Sequence, residues 1–423
     1  MLFSSLGLSR DLLEAVKYAG HETPTSIQAK SIPFILKGRD VMAQARTGTG
    51  KTASFALPVL QLLQKPFPGN KKVIRALILT PTRELAMQVA HALKVYGRPL
   101  TRPLRTITLI GGLNIELQIR QLHHGADIAV ATPGRLLDLL QRHAVDLSLL
   151  SILVIDEADK MLDLGFAQEL DAVLKALPGV RQNVLFSATI SPHVSGLARQ
   201  FMRDPVAVSE AEVAPAAERI AQRAIEVNRH NRGPLLRHLI RTEAWGQVLV
   251  FVGKVRDADI IAAKLVHAGI TANAFHGGLT QAQRTRVLSD FKAGHFNILV
   301  ATDIAARGLD IHKLPCVVNY DLPRSPHEYI HRIGRTGRAG AAGVAVSFIG
   351  HEDQAHMALI EKRAHIRLAR ESVKGFELTG AALPEVKGGA PVKGRRMSKK
   401  DKARALAPGA STNSTADGRI VVS

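Results

Sequence analysis

The sequence predicts an α/β protein: two mostly parallel sheets in tandem, each flanked by helices, followed by a disordered basic tail. Three observations carry that expectation. Short apolar runs alternate with helix-like segments, from "RALILT" (Arg75 to Thr80) to "GVAVSFI" (Gly343 to Ile349). The rhythm breaks at "SEAEVAPAAERI" (Ser209 to Ile220) and then resumes. It stops near Leu383, where lysine and arginine take over.

Each run has few polar residues inside it, as a strand buried on both faces of a parallel sheet requires. In the first half these are "RALILT", "DIAVAT" (Asp127 to Thr132), "SILVID" (Ser151 to Asp156) and "NVLFSAT" (Asn183 to Thr189). In the second they are "QVLVFV" (Gln247 to Val252), "TANAFHGG" (Thr271 to Gly278), "NILVAT" (Asn297 to Thr302), "CVVNYD" (Cys316 to Asp321) and "GVAVSFI". The expected division is a first domain over 1–208, a linker over 209–219, a second domain over 220–370 and a tail over 371–423. No internal sequence repeat is evident.

Composition bounds the function. Of 423 residues, 46% are hydrophobic, enough for two cores, yet no apolar run is long enough to span a membrane. Arg10, Asp11 and Glu14 interrupt the N-terminus too early for a secretory signal. Cys316 is the single cysteine, which excludes an intramolecular disulfide or thiolate metal cluster and fits a reducing cytoplasm. The net charge of +20 predicts a polyanionic partner, and 4% aromatic content points to phosphate contacts more than base stacking. In the tail, Lys387, Lys393, Arg395, Arg396, Lys399, Lys400, Lys402 and Arg404 are interrupted by Asp401 alone. Such a segment cannot bury enough apolar surface to fold, and it reads as a non-specific polyanion arm or a solubilising tail.

Two local patterns carry chemistry. "ARTGTGKT", Ala45 to Thr52, follows a strand-like "DVMA" and opens a helix. Gly48 and Gly50 let backbone N–H groups close around phosphates, Lys51 supplies a point charge and the Thr52 hydroxyl can ligate Mg²⁺. Downstream, "ILVI" ends in Asp156 and Glu157. A carboxylate at a neighbouring strand end can face the same Mg²⁺, which assigns Asp156 to the metal and Glu157 to the attacking water. Asp163 has no phosphate loop to answer to and reads as an ordinary helix-start acid.

"DEAD" (Asp156 to Asp159), "SAT" (Ser187 to Thr189) and "HRIGRTGR" (His331 to Arg338) together resemble the DEAD-box RNA helicases. "PTRELA" from Pro81, the pair Gly111 and Gly112, "TPGR" from Thr132 and "ATDIAARGLD" (Ala301 to Asp310) extend the resemblance, in order, from Phe3 to about Gly350. The wording is most similar to the bacterial RhlE-type group. The resemblance implies two RecA-like domains with ATP and Mg²⁺ in their cleft and RNA across both. On ATP it would place Phe3, His21, Gln28, Ala45, Thr47, Gly48, Thr49, Gly50, Lys51, Thr52, Asp310, Arg335 and Arg338. The catalytic set would be Lys51, Asp156, Glu157, Arg335 and Arg338, the two arginines sharing one helical face.

By the same likeness, Arg83, Gly112, Thr132, Arg135 and Thr302 would contact RNA. Asp159, Ser187, Thr189 and His331 would couple the two sites. His21 stands where the family carries Phe or Tyr, Arg46 where Gln is common, and Gly253–Lys254 replace more usual polar residues. The expected function is ATP-dependent remodelling of RNA with little base specificity, by a cytoplasmic monomer acting on ribosomal precursors or in RNA decay. An ATP-gated RNA clamp is the competing reading, which Glu157, Arg335 and Arg338 argue against. A DNA translocase is the other, disfavoured by the Gln28 segment and the His331 motif.

Overall fold

The computed structural model describes residues 2–45, 48–65, 73–210, 220–306, 311, 314–337 and 343–380. The first lobe opens with a 3-10 turn (Phe3–Leu6), α1 (Arg10–Tyr18) and α2 (Ser26–Leu36). Thr25 and Gln28 form a reciprocal capping box that starts α2. Seven parallel strands follow: β1 (Val41–Gln44), β2 (Ala76–Leu79), β3 (Thr106–Leu109), β4 (Ile128–Ala131), β5 (Ile152–Asp156), β6 (Gln182–Ser187) and β7 (Val206–Ser209). Between them run α3 (Lys51–Leu63), α4 (Arg83–Tyr96), α5 (Ile115–His123), α6 (Pro133–Gln141), α7 (Ala158–Asp163), α8 (Ala167–Lys175) and α9 (Pro192–Phe201). The strand order is β3-β4-β2-β5-β6-β1-β7.

The second lobe has β8 (Ile220–Glu226), β9 (Val248–Val252), β10 (Ala272–Phe275), β11 (Ile298–Thr302), β12 (Cys316–Asn319), β13 (Gly343–Ile349) and β14 (Arg370–Glu371). Its helices are α10 (Arg232–Thr242), α11 (Val255–His267), α12 (Gln281–Lys292), α13 (Asp303–Ala306), α14 (Pro326–Ile333) and α15 (Gln354–Ala364). The order β10-β11-β9-β12-β13-β8-β14 repeats the first sheet strand for strand. The repeat that the sequence hides is therefore a repeat of topology.

β5 shows why these runs are strands. Ile152 and Val154 pack on one face with α3 and α4, while Leu153 and Ile155 pack on the other with α6 and α8. Both faces are covered, so every position is apolar, and each such buried side chain contributes about 1.5–3 kcal/mol. The sheet thus delivers the polar end of β5 into the cleft on a rigid support.

Two expected boundaries move. Ser209 pairs with Gln44 at the end of β7, so the first domain runs past 208. The boundary at 371 falls inside β14, beyond which Val373 and Phe376 pack on the second core, Phe376 against His238. Residues 211–219 of the expected linker and 381–423 of the expected tail lie outside the described residues. Among those described, no helix is long and apolar enough to cross a membrane.

Candidate active site

The phosphate loop is built where β1 hands over to α3. The Ala45 N–H donates to Ser187 O (2.9 Å), tying the loop's root to β6. Gly48 (φ 85°) and Gly50 (φ 89°) take left-handed backbone that a side chain would strain. A Cβ on Gly50 would also lie 2.3 Å from Gln28 Nε2. Gln28 is the reason: buried, it donates to Gly50 O (3.2 Å) and accepts from the Thr25 N–H (2.9 Å). The residue expected on the adenine thus braces the loop here. Lys51 opens α3, is 6% exposed, and its Nζ has no hydrogen-bond partner among the described residues. Thr49 and Thr52, half-buried, flank the same turn.

At the end of β5, Asp156 is 2% exposed, and its Oδ1 is likewise without a hydrogen-bond partner among the described residues. Burial raises its pKa, against the charge of Lys51. Buried Lys51 Nζ and Asp156 Oδ1 are thus a cation and an anion with unused capacity, following β1 and ending β5, which are not adjacent as expected but have β6 between them. Glycines with room for backbone approach complete a cradle that fits a triphosphate and a hard divalent cation. Glu157 follows in the left-handed region (φ 58°, ψ 51°), a conformation that costs a non-glycine residue about 1–3 kcal/mol. Its Oε2 lies 2.7 Å from Lys160 Nζ, both side chains 3% exposed. Burial would raise the Glu157 pKa, but Lys160, Lys51 and Arg335 outweigh it and hold the carboxyl below its ordinary value. Asp163 ends α7 instead of starting a helix, because Glu157 breaks the backbone two turns earlier.

The "DEAD" and "SAT" segments meet directly. Asp159 Oδ2 accepts from the Thr189 N–H (2.9 Å) and hydroxyl (3.0 Å). Ser187 Oγ accepts from the Asp159 N–H (3.3 Å) and donates to Thr189 O (2.8 Å). The Ser187 hydroxyl is thus engaged as both donor and acceptor inside this triangle. His331 sits on α14 and lines a small cavity with Lys160 and Arg335.

Arg335 brings the second lobe to this site. Buried itself, its charge acts on both Glu157 and Lys160. The expected helical face is not how it gets there. α14 ends at Ile333 with Gly334 as its cap, and the Arg335 carbonyl accepts from the Leu314 N–H (3.2 Å) beside a Leu314–Thr336 bridge. Arg332, one turn earlier, anchors this segment. It makes two 2.6 Å contacts to Asp303, bonds Asn319 and stacks over Phe251. Arg46, Thr47, Asp310 and Arg338 lie outside the described residues.

A second link between the lobes was not foreseen. Glu84 on α4 and Arg284 on α12 form a 2.8 Å ion pair, with side chains 4% and 9% exposed, and Gln281 also donates to Glu84 (3.4 Å). Its signals were present in "PTRELA" and in the Gln281–Arg284 spacing, each unremarkable alone. Beside it Arg83, Arg284 and Arg135 converge. Burial and those two neighbours push the Arg83 guanidinium below its ordinary value. Gly112 takes left-handed backbone (φ 78°) that a side chain would strain, and a Cβ there would displace the Arg83 guanidinium. Arg135 donates to Leu113 O (3.1 Å), and its buried Nη1 has no hydrogen-bond partner among the described residues. Thr132 starts α6 nearby, and Thr302 ends β11 in the other lobe; both are buried.

Two residues expected on the nucleotide have protein partners of their own. Phe3 is buried in the core with Leu6 and Leu8, where it anchors the N-terminal segment. His21 is exposed and bonds the Tyr96 hydroxyl through Nε2 (3.0 Å). Gly253 donates its N–H to Asp321 Oδ2 (2.8 Å), so this departure in "FVGKV" still has a fixed backbone. In the second lobe the corresponding cation is already engaged by carboxylates. Arg232 opens α10 as Lys51 opens α3, but its guanidinium is bonded to Asp321 and Asp353.

The first lobe matches the family model described as "DEAD/DEAH box helicase" over residues 25–196. The second matches "Helicase conserved C-terminal domain" over 232–340. The chain is 40% identical over 382 residues to ATP-dependent RNA helicase CshA of Limosilactobacillus reuteri, covering 89% of this chain and 76% of that one. It is 41% identical over 362 residues to RNA helicase CrhR of Synechocystis sp., covering 85% and 72%. Among solved structures, S. cerevisiae Dbp5 bound to RNA and ADP BeF3 is similar with a TM-score of 0.76 at 32% identity, over 88% of this chain and 95% of that one.

Proposed function

Because this chain belongs to the DEAD-box family of ATP-dependent RNA helicases, we propose that its lobes share one hydrolytic site that is completed across the cleft when RNA is held. The observation that carries this reading is that buried Arg335 of the second lobe lines one small cavity with Lys160, the ion-pair partner of Glu157 in the first.

The phosphates of ATP would rest on Gly48 to Lys51, with Lys51 on the β and γ groups. Mg²⁺, when bound, neutralises charge between those groups, and Thr52 and Asp156 would hold it. Glu157, kept ionised by Lys160, would orient water and take its proton, a contribution of about 10²–10⁴ in rate. Arg335 would meet charge developing on the γ-phosphoryl. Asp159, held by the Ser187–Thr189 triangle, would pass the state of this cleft to the RNA face.

RNA would lie on Arg83, Gly112, Thr132 and Arg135 in one lobe and Thr302 in the other. Guanidiniums, hydroxyls and glycine amides suit phosphates and sugars, which position a strand without reading its bases. The product is local strand release after hydrolysis. We read the protein further as a cytoplasmic monomer of the RhlE-type group acting on ribosomal precursors or decaying RNA. Its single buried Cys316 and the wording of its motifs support that reading.

The test compares phosphate release with single-stranded RNA, single-stranded DNA and neither, alongside displacement of a short RNA duplex. RNA-selective stimulation with ATP-dependent displacement is expected. Stimulation by DNA alone would overturn the substrate, and stimulation without displacement would favour a clamp.

A further inference from the structure

The two lobes use one topology twice, and their outer faces differ. In the first lobe the N-terminal segment lies across α3 and α4. Gln61 of α3 accepts from the Ser9 N–H (2.8 Å) and donates to Gly7 O (2.9 Å), and Leu12, Ala15 and Val16 of α1 are buried in that core. By strand order α10 and α11 hold the same places in the second lobe. Phe376 reaches α10 at His238, yet a groove of about 450 Å³ stays open between the two helices.

That groove has an apolar floor, Leu236, Ile261 and Leu265, with Ile260 on its lip at 38% exposure. Arg229, Arg237 and Lys264 stand around it, and none makes an ion pair among the described residues. Its acids are Asp257 and Asp321, and Asp321 is already engaged by Arg232 (3.1 Å) and the Gly253 N–H (2.8 Å). The rim is therefore net positive over an aliphatic base.

We propose that the groove between α10 and α11 seats an acidic amphipathic helix of a partner protein, lying across them as α1 lies across α3 and α4. Charge selects this occupant. The chain's own sequence beyond residue 380 is basic, and a second copy carries +20, so both are repelled. RNA would satisfy the cations but leave the aliphatic floor unmatched, and Tyr320 and the His230 imidazole are the only aromatic rings among the described residues lining the groove. An amphipathic helix supplies apolar anchors at helical spacing with carboxylates beside them, the usual way a helix fills a two-helix groove.

The probe is a fluorescein-labelled synthetic helix of roughly 15 residues, leucine on one face and Asp and Glu on the other, titrated with full-length protein by anisotropy. Saturable binding is expected, weakened at least about tenfold by Arg237→Glu with Lys264→Glu, and equally by Ile260→Asp. A scrambled peptide of the same composition, which keeps the charge and loses the stripe, should bind about tenfold less tightly. RNA-stimulated ATP hydrolysis should be unchanged in all variants, which shows them folded. Equal binding of the scrambled peptide, insensitivity to the substitutions, or no saturation would overturn the proposal. Displacement by a uridine-rich RNA oligomer would reassign the groove to RNA.

Discussion

Replacing Glu84 by Gln keeps the shape of the interlobe pair and removes its charge. Arg284 then stays in a buried site beside Arg83 and Arg135 with no carboxylate to offset it, only the Ala305 carbonyl and the Phe275 ring, its partner having been 4% exposed and itself 9%. Stripping one partner from a buried pair costs about 3–5 kcal/mol, because the survivor stays desolvated. Here the lobes can part and let Arg284 rehydrate, so the cost falls on the closed arrangement and not on folding. A coupling of about 2–3 kcal/mol is expected from a double-mutant cycle of Glu84→Gln and Arg284→Met, which is about a 30- to 150-fold rise in the RNA concentration needed for half-maximal ATP hydrolysis. The assay is RNA-stimulated phosphate release at saturating ATP across the four proteins, with melting temperature as the control. Additive effects, or single substitutions that shift the RNA requirement less than about threefold, would refute the claim that this pair holds the lobes together.

Three more outcomes follow from the same reasoning. Lys51→Met removes a buried cation whose Nζ makes no hydrogen bond among the described residues, so its melting temperature should rise by a few degrees while ATP no longer shifts it; a calorimetric scan with and without ATP checks both. Arg332→Lys replaces a guanidinium that makes two 2.6 Å contacts to Asp303 and bonds Asn319, and should destabilise the second lobe by about 3 kcal/mol in chemical denaturation. Truncation after Leu383 should weaken RNA binding and lower the salt slope by roughly 0.7 to 0.9 for each phosphate that the tail had neutralised, measured by titration over a range of salt; an unchanged slope makes the tail a solubiliser.

What was legible in the chain was local. "ILVI" announces a buried strand because both faces of β5 are covered, and Gly48 to Thr52 announces a phosphate loop because its geometry is made by consecutive residues. β3 and β7 were missed for the converse reason. They are edge strands, and in "TITL" Thr106 and Thr108 are half-exposed, so the apolar run that marks a central strand is absent. Lys160 reads as a surface lysine three residues from an acid, and only the fold shows it buried against Glu157. Glu84 and Arg284 are 200 residues apart and in different lobes, so nothing in either neighbourhood hints at the other. Gln28 was found by its context but assigned to adenine alone, whereas its amide also holds Gly50. The duplicated topology is invisible for a similar reason: a parallel sheet demands apolar character at each position, which many residues satisfy.

The central claim is that the second lobe completes the hydrolytic site through Arg335. Arg335→Ala, assayed for ATP binding and for phosphate release with and without RNA, tests it most directly. ATP binding should persist, since Lys51 and the glycine cradle lie in the first lobe, while RNA-stimulated turnover should fall by about 10³ or more. RNA-stimulated turnover within a few-fold of wild type would contradict the account.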